Sequence, residues 1–192
     1  MSGLDTLADP SRQLAPYLRP GEQLLWSGRP DPHVIFTTAD AYAIPFSLVW
    51  FGLALSFTVS LLTSAHPQSA LITVPFLAAG LYITVGRFVY KRRSKLRTAY
   101  GITPDRAIVA VGASSMTDSP IRQVPSSITR SRDGSHVTMT FGSGADGRPG
   151  RRAYPNTGMD FFGSGASPVG FYDVAEPAAL LAAVEQARGW SP

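Results

Sequence analysis

The chain has 192 residues, 17 Lys and Arg against 13 Asp and Glu, and no cysteine. Charged residues make up only 16% of it, against about 25% in an ordinary soluble domain. The missing cysteines exclude a disulfide scaffold, a Cys-ligated zinc site and thiol catalysis.

Residues 1–40 carry three Arg and five acids, a net of −2, and Pro10, Pro16, Pro20, Pro30 and Pro32 prevent any long helix. The segment is too polar, acidic and long for a signal peptide, and it predicts a mostly extended lead-in. Its one apolar knot, Leu24-Leu25-Trp26, is suited either to lie on lipid headgroups or to dock on the other non-membrane piece.

Between Asp40 and Arg87 stand 46 residues without Asp, Glu, Lys or Arg. Ile44–Thr63, within that stretch, and Ala70–Tyr90, which runs on through Arg87 at its end, predict two helices of 20 and 21 residues. At 1.5 Å per residue each reaches about 30 Å, the thickness of a bilayer core. The alternative is a buried hairpin in a soluble protein, but a soluble helix shows a polar face and these show none. The sequence therefore predicts a transmembrane hairpin over 41–90. Pro45 and Pro75 fall near helix starts, where the missing N–H costs little.

The linker Ser64–Ser69 is too short for anything but an antiparallel pair, so both chain ends fall on one side. Arg87, Lys91, Arg92, Arg93, Lys95 and Arg97 crowd the exit of the second helix, and the linker has no Lys or Arg. The positive-inside rule then places both termini in the cytoplasm of a multi-pass protein of the inner (plasma) membrane. The same cluster, with 91–97 as a basic juxtamembrane segment, is a candidate contact for anionic lipid headgroups. Gly52, Ser56 and Ser60 repeat every fourth residue, and Gly80 and Thr84 offer a matching notch. Such small residues permit close helix packing, within the hairpin or, as the alternative, across a dimer seam. No charge lies at mid-membrane, which argues against an ion or proton pathway.

Residues 98–192 carry a β pattern. Thr98–Thr103, Pro104-Asp105 and Arg106–Gly112 read as strand, turn, strand, and Ile121–Val124 as a further short strand. Ser126–Arg132 and Ser135–Phe141 flank Asp133-Gly134, the dipeptide of a two-residue type I′ hairpin. Val137, Met139 and Phe141 alternate with threonines, giving one buried and one wet face. Met159–Phe162 and Phe171–Val174 bring the expectation to about seven strands. A helix over 177–188 closes the chain, with Pro177 at its first turn, Gly189 just beyond, and Leu180, Leu181 and Val184 as its buried stripe.

Leu18-Arg19-Pro20-Gly21-Glu22 and Trp26-Ser27-Gly28-Arg29-Pro30 precede the hairpin, and Thr98-Ala99-Tyr100-Gly101-Ile102-Thr103-Pro104-Asp105-Arg106 follows it. In that order they resemble bacterial membrane proteins with a pleckstrin-homology-like (PH-like) domain. The resemblance implies an α+β membrane protein: a transmembrane hairpin, then a PH-like β-barrel or sandwich with a C-terminal capping helix.

Catalytic chemistry finds no support in the sequence. Gly142–Gly147 matches GxGxxG, but Pro149, Gly150 and two arginines follow where a phosphate-binding helix should begin. His33, His66 and His136 lack ligand spacing, so no metal or other cofactor is expected, and no GxSxG elbow is present. Residues 87–192 carry 14 basic against 8 acidic residues, a net of +6 that suits an anionic leaflet. Arg148, Arg151 and Arg152 form a second basic group in the Gly-rich stretch. No aromatic–basic interleaving suggests nucleic acid. The expectation is a non-enzymatic, membrane-tethered module for binding a protein or lipid headgroups. The alternative is an accessory subunit of a transporter or other membrane complex, assembled through the hairpin. Membrane lipids, a membrane or cytoplasmic protein, and a second copy of the chain are the candidate partners.

Overall fold

The computed structural model describes residues 9–36, 40–64, 66–113, 115–122, 126–142 and 169–189. The expected strand at Met159–Phe162, most of the two Gly-rich stretches, and Arg148, Arg151 and Arg152 lie outside them. In chain order the elements begin with α1 (Pro10–Leu14), β1 (Trp26–Gly28) and α2 (Asp40–Leu62). Next come α3 (Val74–Leu81), α4 (Arg87–Arg97), β2 (Thr98–Ile102), β3 (Arg106–Val111) and β4 (Ser115–Pro120). Then follow β5 (Ser126–Arg130), β6 (Val137–Phe141), β7 (Val169–Val174) and α5 (Pro177–Gly189). The chain is α+β, with two long apolar helical runs and, among the described residues, seven antiparallel strands in two sheets. It divides into two units, with boundaries after Val34 and after Lys91.

In the helical unit, α2 runs 23 residues. The second apolar run, Pro67–Arg97, is 31 residues long and joins a 3-10 stretch, α3, a π turn at Tyr82–Gly86 and α4. Both runs outlast the expected 44–63 and 70–90. The basic segment 91–97 continues the helix because Lys, Arg and Leu are good helix formers and no Gly or Pro interrupts them. The two runs are antiparallel. The Thr58 hydroxyl donates to Thr73 Oγ1 at 2.9 Å, Phe51 lies against Gly80, and Asp40 pairs with Arg87 at the open end.

The β unit has a four-stranded sheet in the order β1-β2-β3-β4 and a three-stranded sheet β5-β6-β7. Tyr100, Ile102 and Ala107 of the first sheet share a core with Met139, Phe141 and Phe171 of the second and with Leu180 and Val184 of α5. The Tyr100 and Phe171 rings stack at 4.7 Å, and Phe141 meets Phe171 edge-on at 5.4 Å. Each such buried side chain contributes roughly 1.5–3 kcal/mol. The helix stripe is Leu180, Ala183, Val184 and Ala187, with Leu181 at its half-buried margin.

The lead-in belongs to this β unit. Its Leu24-Leu25-Trp26 knot docks on the first sheet: Leu25 N donates to Ile102 O at 2.8 Å, β1 pairs with β2, and Trp26 lies 6.0 Å from Phe171. Leu14, Tyr17, Leu18 and Leu24 cover the other face of the sheet over Ala99, Ile108 and Ala110. The first sheet is thus covered on both faces, and every residue of β2 is buried. Pro30 then bridges to Val174, so the lead-in also touches the second sheet.

Two local expectations are corrected. Of the expected strand Ile121–Val124, Ile121, which is buried, and Arg122 lie in a turn and the other two residues fall outside the described ones, while the preceding Ser115–Pro120 forms a strand. That polar stretch is an edge strand held by its register on β3, from Arg106↔Pro120 to Val111↔Ser115. The β5–β6 connection is wider than a two-residue hairpin, because Ser131 N donates to His136 O. Gly134 has a positive φ there and Asp133 does not, whereas type I′ needs both. Asp133 instead accepts from the Ser131 hydroxyl and from the Ser135 N–H and hydroxyl. Those bonds, the Ser131 bond foremost, hold its carboxyl far below the ordinary range.

Candidate functional site

Helix α4 reads Arg-Phe-Val-Tyr-Lys-Arg-Arg-Ser-Lys-Leu-Arg. On a helix, residues four apart share a face, so its six cations fall on two sides. Arg87, Lys91 and Lys95 form one stripe, and all three are buried. Arg92, Arg93 and Arg97 lie on the other, exposed side, with half-exposed Leu96 between them and Val89 a turn earlier.

Every cation of the buried stripe has an internal partner. Arg87 Nη1 meets Asp40 Oδ1 at 2.6 Å, and its guanidinium lies over the Phe88 ring. Lys91 Nζ donates to Ile35 O at 2.6 Å. Lys95 Nζ donates to Asp31 O, to Val34 O and to Asp173 Oδ2. Asp173 sits at a register shift between β6 and β7 with φ of 53°, a left-handed conformation that Asp tolerates better than most residues. By contrast, no ion pair within 4 Å involves Arg92, Arg93 or Arg97 among the described residues.

The C-terminus of α4 passes straight into β2, and its last carbonyls are satisfied by the lead-in. Arg29 Nη1 donates to Leu96 O and Thr98 O, and Gln13 Nε2 to Arg97 O. A cation at a helix C-terminus also suits the helix dipole.

A second buried cluster gathers the residues of the sequence resemblance. Arg106 donates through Nε and Nη2 to the two oxygens of Glu22, through Nη1 to Asp118 and through Nη2 to Tyr17 O. The Thr103 hydroxyl adds a bond to Glu22 at 2.8 Å. The Arg106 hydrogen bonds hold the Glu22 carboxyl down to about 2, and Glu22 in turn holds the Arg106 guanidinium above its ordinary value. Arg106 and Glu22 are fully engaged by one another and by Asp118, Thr103 and the Tyr17 carbonyl, as in a structural clamp.

The small-residue positions separate. Gly80 is buried against Phe51, and a Cβ there would lie 2.9 Å from the Phe51 ring. Half-buried Thr84 returns its hydroxyl to Gly80 O. Gly52, Ser56 and Ser60 are exposed, and no atom lies within 4 Å of a Cβ at Gly52. The contacts between the two runs include Phe51 on Gly80, Thr58 on Thr73 and Trp50 near Phe76.

One further constellation was not legible in the sequence. His136 Nε2 meets Asp31 Oδ2 at 2.8 Å and its Nδ1 meets Ser135 Oγ at 2.6 Å. The order Asp, His, Ser has the members of a nucleophilic relay. Ser135, however, lies on an exposed turn, and its hydroxyl also reaches Asp133 Oδ2 at 2.6 Å. These contacts close the hairpin turn and tie it to Asp31. No group of three metal-ligating side chains occurs among the described residues. No protein family, curated protein or solved structure matches this chain.

Proposed function

We propose that this chain is a non-enzymatic integral membrane protein of the inner membrane, with both termini cytoplasmic. Its β unit is a PH-like module that the hairpin tethers to the bilayer for binding a protein partner or lipid headgroups. A tether raises the effective concentration of such a module at the membrane, so weak contacts suffice. The observation that carries this reading is the surface of the two helical runs. Phe46, Leu53 and Phe57 of the first and Leu71, Phe76 and Leu81 of the second are all exposed, and only 6% and 17% of the two apolar windows is buried. Water would not tolerate such a surface, and lipid covers it.

The absence of cysteine makes the test direct. Gln68→Cys in the linker should react with an impermeant maleimide added outside intact cells. Glu185→Cys in α5 should react only after permeabilisation. Labelling of Glu185→Cys in intact cells would sink the topology, and recovery of the protein without detergent would sink the membrane reading.

The second reading, an accessory subunit assembled through the hairpin, is favoured by the outward exposure of Gly52, Ser56 and Ser60. Gly52→Leu with Ser56→Leu would then disperse the complex, while changes in the β unit would not.

A further inference from the structure

We infer that the exposed side of α4, Arg92, Arg93 and Arg97 around Leu96, is the docking surface for anionic phospholipid headgroups, and that the other three cations of the cluster take no part. The inference rests on the membrane reading above and assigns its lipid contact to particular side chains.

Three observations carry it. Arg87, Lys91 and Lys95 are buried and committed to Asp40, Asp173 and the carbonyls of Asp31, Val34 and Ile35. Arg92, Arg93 and Arg97 are exposed without an ion-pair partner among the described residues. They also stand on the same continuous helical run that carries the apolar span, Pro67–Arg97.

Position follows from helix geometry. Arg92 and Arg97 lie 5 and 10 residues past Arg87, about 8 and 15 Å along the axis. Each headgroup layer is roughly 5–8 Å deep. Arg92 and Arg93 therefore reach the phosphates, and Arg97 lies within about one Debye length of them at physiological salt. Guanidinium groups match the oxygens of a phosphodiester through paired N–H donors. Their aliphatic stems and Leu96 lie along the apolar boundary while the charged ends face the phosphates.

The test uses the full chain in detergent and native mass spectrometry, titrated with phosphatidylglycerol or with phosphatidylcholine of the same acyl chains. The wild-type chain should retain phosphatidylglycerol preferentially. R92Q/R93Q/R97Q should lose the preference, by about fivefold for each arginine, the equivalent of about 1 kcal/mol per charge near an anionic surface. R12Q/R130Q/R132Q removes the same charge from exposed sites elsewhere and should keep the preference. An unchanged preference in the first variant, or an equal loss in the second, overturns the assignment. Displacement of phosphatidylglycerol by inorganic phosphate at matched ionic strength would mark a soluble-phosphate site and overturn it too. If the cysteine labelling holds while the preference survives R92Q/R93Q/R97Q, this inference alone falls. Failed labelling removes the membrane reading itself.

Discussion

Glu22 and Arg106, 84 residues apart in the chain, meet in a two-point ion pair at 2.7 and 2.9 Å with both side chains nearly fully buried. The Pro-Gly-Glu of the lead-in and the Ile-Thr-Pro-Asp-Arg of the first β-turn are thus two halves of one clamp. The lead-in, which precedes the hairpin in sequence, closes the sheet whose second strand begins after it.

Removing one partner of a buried pair leaves the other charge uncompensated, which costs about 3–5 kcal/mol. Glu22→Gln should lower the unfolding free energy of the β unit by up to about that amount, Arg106 keeping only Asp118 as a counter-charge, and should lower the denaturation midpoint accordingly. Glu22→Gln combined with Arg106→Met should recover part of it, because no buried charge is stranded. Equal midpoints for wild type and Glu22→Gln would show that the clamp contributes nothing.

The same pair sets an acid limit. The folded carboxyl of Glu22 ionises at about 2 against 4.5 ordinarily. A depressed carboxyl stabilises the fold fully above its unfolded value and loses that contribution as pH falls. Stability should therefore decline between about pH 4.5 and pH 2, and Glu22→Gln should flatten that part of the curve. Circular dichroism melts across this range would read the effect.

Alanine at two glycines should act with opposite signs. Gly80→Ala forces a Cβ to 2.9 Å from the Phe51 ring and 3.3 Å from Phe51 Cβ, so the hairpin should lose about 1–3 kcal/mol. Gly52→Ala meets nothing within 4 Å and should gain up to about 1 kcal/mol from helix propensity. Resistance to proteolysis in detergent would rank the two variants against wild type.

Asp40 and Arg87 clasp the open end of the hairpin at 2.6 Å, both buried. Asp40→Asn should destabilise the helical unit by a similar 3–5 kcal/mol. The exchange Asp40→Arg with Arg87→Asp should restore much of it. A swap no better than the single variant would show that the pair is not the source of the loss.

Much of this was legible from local pattern. The uncharged stretch between Asp40 and Arg87 announces the two helical runs, the alternation of Val137, Met139 and Phe141 announces β6, and Pro177 with Gly189 brackets α5. These signals survive because they report burial with a fixed period or a terminus with its own backbone chemistry. Strands β1 and β4 left no such signal. One has three residues and the other is a polar edge, and each exists through its register on a neighbour.

The sequence by itself determined that six cations crowd the exit of the second apolar segment. Only the tertiary structure decided which of them are spent. Asp40, Asp173 and the carbonyls of Asp31, Val34 and Ile35 come to Arg87, Lys91 and Lys95 from distant parts of the chain. A side chain's partners depend on how the whole chain closes, whereas its periodicity depends only on its neighbours.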